Sequence, residues 1–183
     1  MQRLRPVHST EILSQMYAKP HDHSIYGRGH SERVNKMIEL GRQFGPYTSS
    51  VDLSCGNGYV IDQIESQYRI KGDIAPGYEY HGPIEDTIHL IPQVSLFVSG
   101  ETLEHLDNPA RILYYIRSVC DYLLLSTPID NWNDSNAEHY WAWAKSDVES
   151  LLHNAGFTAI MAYASVDSRV YGEPYCYGVW IVQ

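Results

Sequence analysis

Val51-Asp52-Leu53-Ser54-Cys55-Gly56-Asn57-Gly58 decides the reading of this chain. An apolar run ends on an acidic residue and enters a turn with two glycines, and Tyr59 to Tyr68 then follows as a predicted helix. Gly56 and Gly58 let a backbone come close to a ligand, and the start of the next helix offers free amide donors. Asp73 ends the next predicted strand, RIKGD, 21 positions after Asp52. A carboxylate there can accept from both hydroxyls of a ribose, so the pair of strand ends suits an adenosine-bearing cofactor. No third glycine follows in Tyr59-Val60-Ile61, so a dinucleotide fingerprint is not met.

Outward from that loop, short apolar runs alternate with helical stretches, the pattern of a parallel sheet covered by helices. SSVDL, RIKGD, VSLFVS and YLLLS read as strands, and NPARILYYIRSVC as a helix capped by Asn108 with Pro109 in its first turn. Ser146 and Glu149 have capping-box spacing ahead of Leu151 and Leu152, and Gly156 stands where that helix ends. FTAIMAYA and YCYGVWIV, joined around Gly172-Glu173-Pro174, read as a carboxy-terminal antiparallel hairpin. Residues 1–47 read as an amino-terminal helical cap or lid, with a helix capped at Ser31 and stopped at Gly45-Pro46, and residues 48–183 as the core of one compact domain.

The 183 residues suffice for one hydrophobic core, and no apolar stretch approaches the roughly eighteen residues of a membrane span. The amino terminus lacks the apolar centre of a secretory signal, so a cytoplasmic location is expected. Cys55, Cys120 and Cys176 form no CxxC pair, against a zinc knuckle or a disulfide framework. A net charge of -9 gives no global attraction to phosphates, which disfavours RNA as a partner.

From about Thr48 onward the chain resembles class I S-adenosylmethionine-dependent methyltransferases. DLSCGNG is similar to that family's glycine loop, with Ser54 in place of the first glycine; KGD resembles its ribose-binding strand end, and GPIEDTI the segment that meets the adenine. SGETLEHLDNP resembles the fourth-strand signature, and STPID and HNAGF the late segments. The resemblance implies a Rossmann-like α/β fold with helices on both faces. Only 20 residues separate Asp73 from Val94, so the helix after the second strand should be reduced. It further implies that S-adenosylmethionine is bound by Asp52, Ser54, Gly56, Asn57, Gly58, Asp73, Ile84, Glu85, Ser99 and Glu101, with Arg28 or Arg33 meeting the methionine carboxylate. The implied activity is methyl transfer to an oxygen or nitrogen of a small or polar acceptor. Ser54 and the shortened adenine side keep open a module that binds the cofactor without catalysis.

Glu101, Glu104 and His105 stand at i, i+3 and i+4 and share one face if the stretch is helical. With His139 they make a donor set suited to magnesium, manganese or zinc. The set resembles that of ubiquinone-biosynthesis O-methyltransferases and of the enzymes that methylate the terminal 2′-hydroxyl of small RNAs, and STPIDNWNDSNAEHYWAW is similar to a loop of the latter. A metal-dependent RNA 3′-end 2′-O-methyltransferase is therefore an alternative. Without metal, His139 is the natural general base, with His105 and Glu104 as further catalytic candidates. Tyr140 and Trp141 are candidates to stack on the acceptor.

Overall fold

A computed structural model of the chain describes residues 1–24, 28–170 and 173–183. In chain order the elements are β1 (Gln2–Arg3), α1 (Thr10–Met16), α2 (Arg28–Gln43), β2 (Tyr47–Asp52), α3 (Tyr59–Asp62), β3 (Ser66–Asp73), β4 (Tyr80–His81), α4 (Ile84–Thr87) and β5 (Val94–Gly100). A 3-10 turn, Leu103–His105, leads to α5 (Pro109–Val119), β6 (Cys120–Ile129), β7 (Trp141–Ala142), α6 (Lys145–Ala155), β8 (Ile160–Val170) and β9 (Glu173–Val182). Seven strands form one sheet in the order β4-β3-β2-β5-β6-β9-β8. The first five are parallel to one another and the β9-β8 hairpin runs antiparallel, as the sequence predicts. The turn expected around Gly172 lies outside the described residues.

Alternation along the strands builds a core on each face, because neighbouring side chains point to opposite sides. Phe97, Leu123, Leu125 and Trp180 pack with Ile112, Ile116, Val148 and Leu152 from α5 and α6. Leu96, Val98, Leu124 and Ile181 pack on the other face with Val34, Met37, Ile38 and Leu40 from α2. Fully burying such side chains contributes about 1.5–3 kcal/mol each. Among the described residues no helix is long and apolar enough to cross a membrane.

The helix after the second strand is reduced as expected, to the single turn α4. The helix after the glycine loop is reduced as well, which the sequence pattern does not foretell: α3 stops at Asp62 and β3 already begins at Ser66. Helix α2 packs against the segment that follows α3. A Cβ on Gly41 would come within 2.6 Å of the Ile64 side chain, so the two segments are in contact there. Arg69 donates to the carbonyls of Ile61 and Ile64, and Arg42 to that of Gln63, so α3 ends on satisfied carbonyls.

Two caps fall elsewhere than predicted. Helix α2 starts at Arg28, so Ser31 lies inside its first turn. Helix α6 starts at Lys145, and its cap is the Asp147 carboxylate accepting from Ala144 N at 3.0 Å, which leaves Ser146 inside the helix and turns Glu149 toward Trp180 and Lys145. Asn108 accepts from Arg111 N with Pro109 behind it, and Gly156 ends α6 at φ +99°, both as expected.

Candidate functional site

The sheet order reverses between β2 and β5, since β3 and β4 lie on one side of β2 and β5 and β6 on the other. Ligands of open α/β sheets bind at the carboxyl ends of strands at such a switch point. Here the two ends are joined by Ser54 Oγ and Thr102 Oγ1, 2.6 Å apart. Asp52, Ser54, Gly56, Asn57, Gly58 and Asp73 hang from β2, β3 or the loop between them, while Ile84 and Glu85 lie in α4, Ser99 and Glu101 at the end of β5, and Arg33 on α2.

Asp52 is buried and accepts at Oδ1 from Ser54 N at 2.9 Å and from Ser54 Oγ at 3.3 Å. Among the described residues its Oδ2 has no hydrogen-bond partner. Burial, with the nearby Asp73 charge, pushes the Asp52 carboxyl up to about 7 despite the Ser54 bonds. Asp73 accepts from Gly56 N at 2.7 Å on one oxygen and from Ala75 N at 2.8 Å on the other. Burial raises its carboxyl too, against these two bonds. Each oxygen keeps a second lone pair, enough for two ribose hydroxyls.

Gly56 and Gly58 are left-handed, at φ +55° and +82°, as a tight turn requires. The close approach that Gly56 permits is made by the chain itself. A Cβ there would lie 2.5 Å from the His21 carbonyl and 2.9 Å from His23 Nε2, and a Cβ on Gly58 would meet the Lys71 side chain. Asn57 fastens this strap: its N donates to His21 O at 2.7 Å, its Oδ1 accepts from His23 N and its Nδ2 donates to Asp22. Ile84 is built into the core while Glu85 is exposed. Ser99 is buried, its hydroxyl without a partner among the described residues.

Arg33 projects from α2 to the ends of β5 and β6 with only 1% of its side chain exposed. Its Nη1 donates to Ser126 Oγ at 3.0 Å, its Nε lies 3.8 Å from Glu101 Oε1, and its guanidinium stands 5.6 Å over the Tyr177 ring. Nε has no hydrogen-bond partner among the described residues, so a carboxylate could still be received there. The other candidate for that role, Arg28, has its side chain outside the described residues.

The stretch after β5 is not the helical turn that the i, i+3, i+4 reading assumes. Glu101 takes φ +55° as the strand ends, and only Leu103–His105 turns as a 3-10 helix. Glu101 is thereby carried toward Ser126 and Arg33, while Glu104, His105 and His139 converge with ligand atoms all within 4.8 Å of one another. Glu104 is 1% exposed; Oε2 accepts from Thr127 at 3.0 Å, and Oε1 has no partner among the described residues. Burial, then the Glu101 charge, pushes its carboxyl up to about 8. Burial and the neighbouring His139 push the His105 imidazole down to about 3. The two rings meet edge to face at 4.8 Å.

Tyr140 and Trp141 are placed beside this cluster but engaged elsewhere. Tyr140 is 1% exposed and its hydroxyl accepts from His8 N, while Trp141 Nε1 donates to Leu106 O under the Arg3 guanidinium. The aromatic rings that do face the cluster were not foreseen: Tyr17 donates to Glu138 at 2.7 Å and lies 3.5 Å from His105 Nδ1, and Tyr175 reaches His139. Nor was Asp134, whose carboxylate lies 2.7 Å from His139 Nδ1. A lone Asp in a polar loop and a Tyr in a hairpin carry no motif, so nothing in the sequence marks them.

No family model matches the chain, and no curated protein does. Solved structures match across its whole length. The N-methyltransferase NodS from Bradyrhizobium japonicum, in complex with S-adenosyl-L-homocysteine, aligns over 94% of this chain and 97% of its own, with a TM-score of 0.68 at 11% identity. The [4+2]-cyclase SpnF aligns over 100% and 98%, with a TM-score of 0.68 at 10% identity. A precorrin 8w decarboxylase from Methanobacterium thermoautotrophicum aligns over 91% and 97%, with a TM-score of 0.59 at 14% identity. The chain has the class I S-adenosylmethionine-dependent methyltransferase fold, a fold that also carries other chemistry in proteins similar to it.

Proposed function

We propose that this chain is an S-adenosylmethionine-dependent methyltransferase acting on an oxygen or nitrogen of a small polar acceptor. The observation that carries the reading is the pair of buried carboxylates Asp52 and Asp73 on neighbouring parallel strands, with Asp73 clasping the amide of Gly56. The donor set fits the cofactor: Asp73 offers free lone pairs to a ribose, Asp52 Oδ2 can accept from the amino group, and Arg33 Nε is a buried cation site for the carboxylate. When bound, S-adenosylmethionine supplies a methyl group on a sulfonium that is already an activated leaving group. The protein's task is then to hold the acceptor in line, exclude water and take a proton. Arg33, Tyr177 and the strap over Gly56 close the donor side. His139 accepts the proton of the acceptor.

The unpartnered, buried Oε1 of Glu104 favours a second reading, in which a divalent cation completes the Glu104, His105 and His139 set. The cation would polarise an acceptor hydroxyl, and the three side chains would hold it.

Calorimetric titration with S-adenosylmethionine and S-adenosylhomocysteine tests the donor site, and transfer of a labelled methyl group to a panel of small hydroxyl and amine compounds and to RNA oligonucleotides tests the reaction. Both ligands are expected to bind, with label in small molecules rather than RNA. A folded sample that binds neither ligand would sink the proposal, and tight binding with no transfer would favour a cofactor-binding module.

A further inference from the structure

Three hydrogen bonds around His139 agree on where its ring proton sits. Nδ1 lies 2.7 Å from Asp134 Oδ2, and a carboxylate can only accept, so Nδ1 carries the hydrogen. The Tyr175 hydroxyl gives its single proton to the same Oδ2 at 2.6 Å, so its oxygen, 3.1 Å from Nδ1, faces that nitrogen as a second acceptor. On the other side of the ring, Asn136 Oδ1 accepts from Glu138 N at 3.0 Å, which turns Nδ2 of the same amide onto His139 Nε2 at 3.0 Å. A donor placed there requires a lone pair on Nε2.

The carboxylate that selects this state is itself fixed at both oxygens. Asp134 Oδ1 accepts from Asn136 N at 2.8 Å, and Oδ2 is shared by Tyr175 and His139. Asp134 and His139 are both buried, so water does not compete for the Nδ1 proton. An imidazole working as a base needs its lone pair on the nitrogen away from the orienting carboxylate, and the wrong tautomer is costly even when packing is intact.

We propose that Asp134 is a positioning residue: held by Tyr175 and the Asn136 main chain, it keeps His139 in the Nδ1–H form so that the Nε2 lone pair is available for an acceptor's proton. The role rests on the reading of His139 as the proton acceptor. In the free protein the Asn136 amide occupies that lone pair, and an acceptor hydroxyl or amine takes its place. As the acceptor's O–H or N–H bond breaks, the proton passes to Nε2 and the resulting imidazolium lies against the Asp134 carboxylate.

The test is the tautomer itself, read from imidazole nitrogen shifts of the full-length, 15N-labelled protein at about pH 9.5, because burial is outweighed by the Asp134 hydrogen bond and the Glu104 charge, which raise the His139 imidazole above its ordinary value. The His139 signals are identified by their loss in His139→Gln. Wild type should show a lone-pair shift at Nε2 and a protonated shift at Nδ1. Asp134→Asn should invert them. The Asn136 main-chain amide holds the new side chain's oxygen in the place of Oδ1, leaving its NH2 to donate to Nδ1 and drive the proton to Nε2. Tyr175→Phe, which leaves the carboxylate in place, should keep the wild-type pattern. A wild-type ring with its lone pair on Nδ1, or with both nitrogens protonated, overturns the proposal, as does an Asp134→Asn ring that keeps the wild-type pattern. None of these readouts needs the cofactor, so a failure of S-adenosylmethionine to bind would strike the functional reading and leave the tautomer result to be judged alone.

Discussion

The donor side and the acceptor side of the site sit at ends of the same sheet but are made in different ways. On the donor side, carboxylates are held by backbone amides: Asp52 by Ser54 N, and Asp73 by Gly56 N and Ala75 N. On the acceptor side, Glu104 leans on the Thr127 side chain from a distant segment, and its other oxygen is left over. A backbone cradle is complete before a ligand arrives. A side-chain cluster with an unpartnered buried carboxyl is complete only when a proton or a cation enters it, because a buried unpaired carboxylate is costly.

The largest effect should come from breaking the cradle. Asp73→Ala removes both acceptor oxygens and strands the amides of Gly56 and Ala75, at a cost of about 1–3 kcal/mol for each buried donor left unsatisfied. Affinity for S-adenosylhomocysteine should fall at least about 100-fold, the equivalent of about 2.7 kcal/mol. Calorimetry decides it, and a loss below about threefold would mean that Asp73 serves the loop and not the ligand.

Next comes the unpartnered carboxyl. The Glu104 carboxyl is raised in the folded state to about 8, above its unfolded value of about 4.3. The folded protein therefore holds its proton longer, and stability is lost as pH rises from about 4 through 8. Glu104→Gln should lie closest to wild type near pH 5 and gain on it steadily toward pH 9 in thermal unfolding. Manganese or magnesium should raise the wild-type melting temperature at pH 8 and leave Glu104→Gln unmoved. Equal responses in both proteins would remove the cation reading.

The two sides also differ in how far they can be read from sequence. The glycine loop, Asp52 and Asp73 lie within 22 residues, and each carboxylate is the last residue of the strand that carries it. Asn108, Gly156 and the final hairpin were legible for the same reason, since caps and alternation are local. The early end of α3 was not; there the chain meets α2, a segment with no sequence link to it, at Ile64. Glu104, His105 and His139 could be picked out by residue type, but the left-handed Glu101, the Asp134 carboxylate and the Tyr175 hydroxyl enter only through the fold. The strap illustrates both: the glycine is visible in the sequence, while its occupant, the His21 carbonyl, is not.

That strap gives a moderate effect. Gly56→Ala places a Cβ 2.5 Å from the His21 carbonyl at a φ of +55°, so the strap must lift or the loop must strain. The left-handed backbone alone costs roughly 1 kcal/mol for a non-glycine residue. Chemical denaturation should show a loss of about 1–2 kcal/mol, and limited proteolysis should cut the amino-terminal segment faster than in wild type. A variant as stable and as protected as wild type would mean that the strap does not rest on Gly56 in solution.

The smallest effect should come from a contact that joins the two sides, Ser54 with Thr102. Ser54 stands where the resemblance places a glycine, yet only Glu101 and Asp130 among the described non-glycine residues have positive φ, so glycine's freedom is not needed there. What serine adds is a hydroxyl 2.6 Å from Thr102, in the turn that leads to Glu104. Ser54→Gly should lose that bond and some backbone order, about 0.5–1.5 kcal/mol of stability. Cofactor affinity should change less than about threefold, because Asp52 keeps its bond from the main-chain amide of residue 54. A tenfold or larger change would show that the cradle is not finished by its own backbone and that the acceptor side, acting through Thr102, helps to set the donor site.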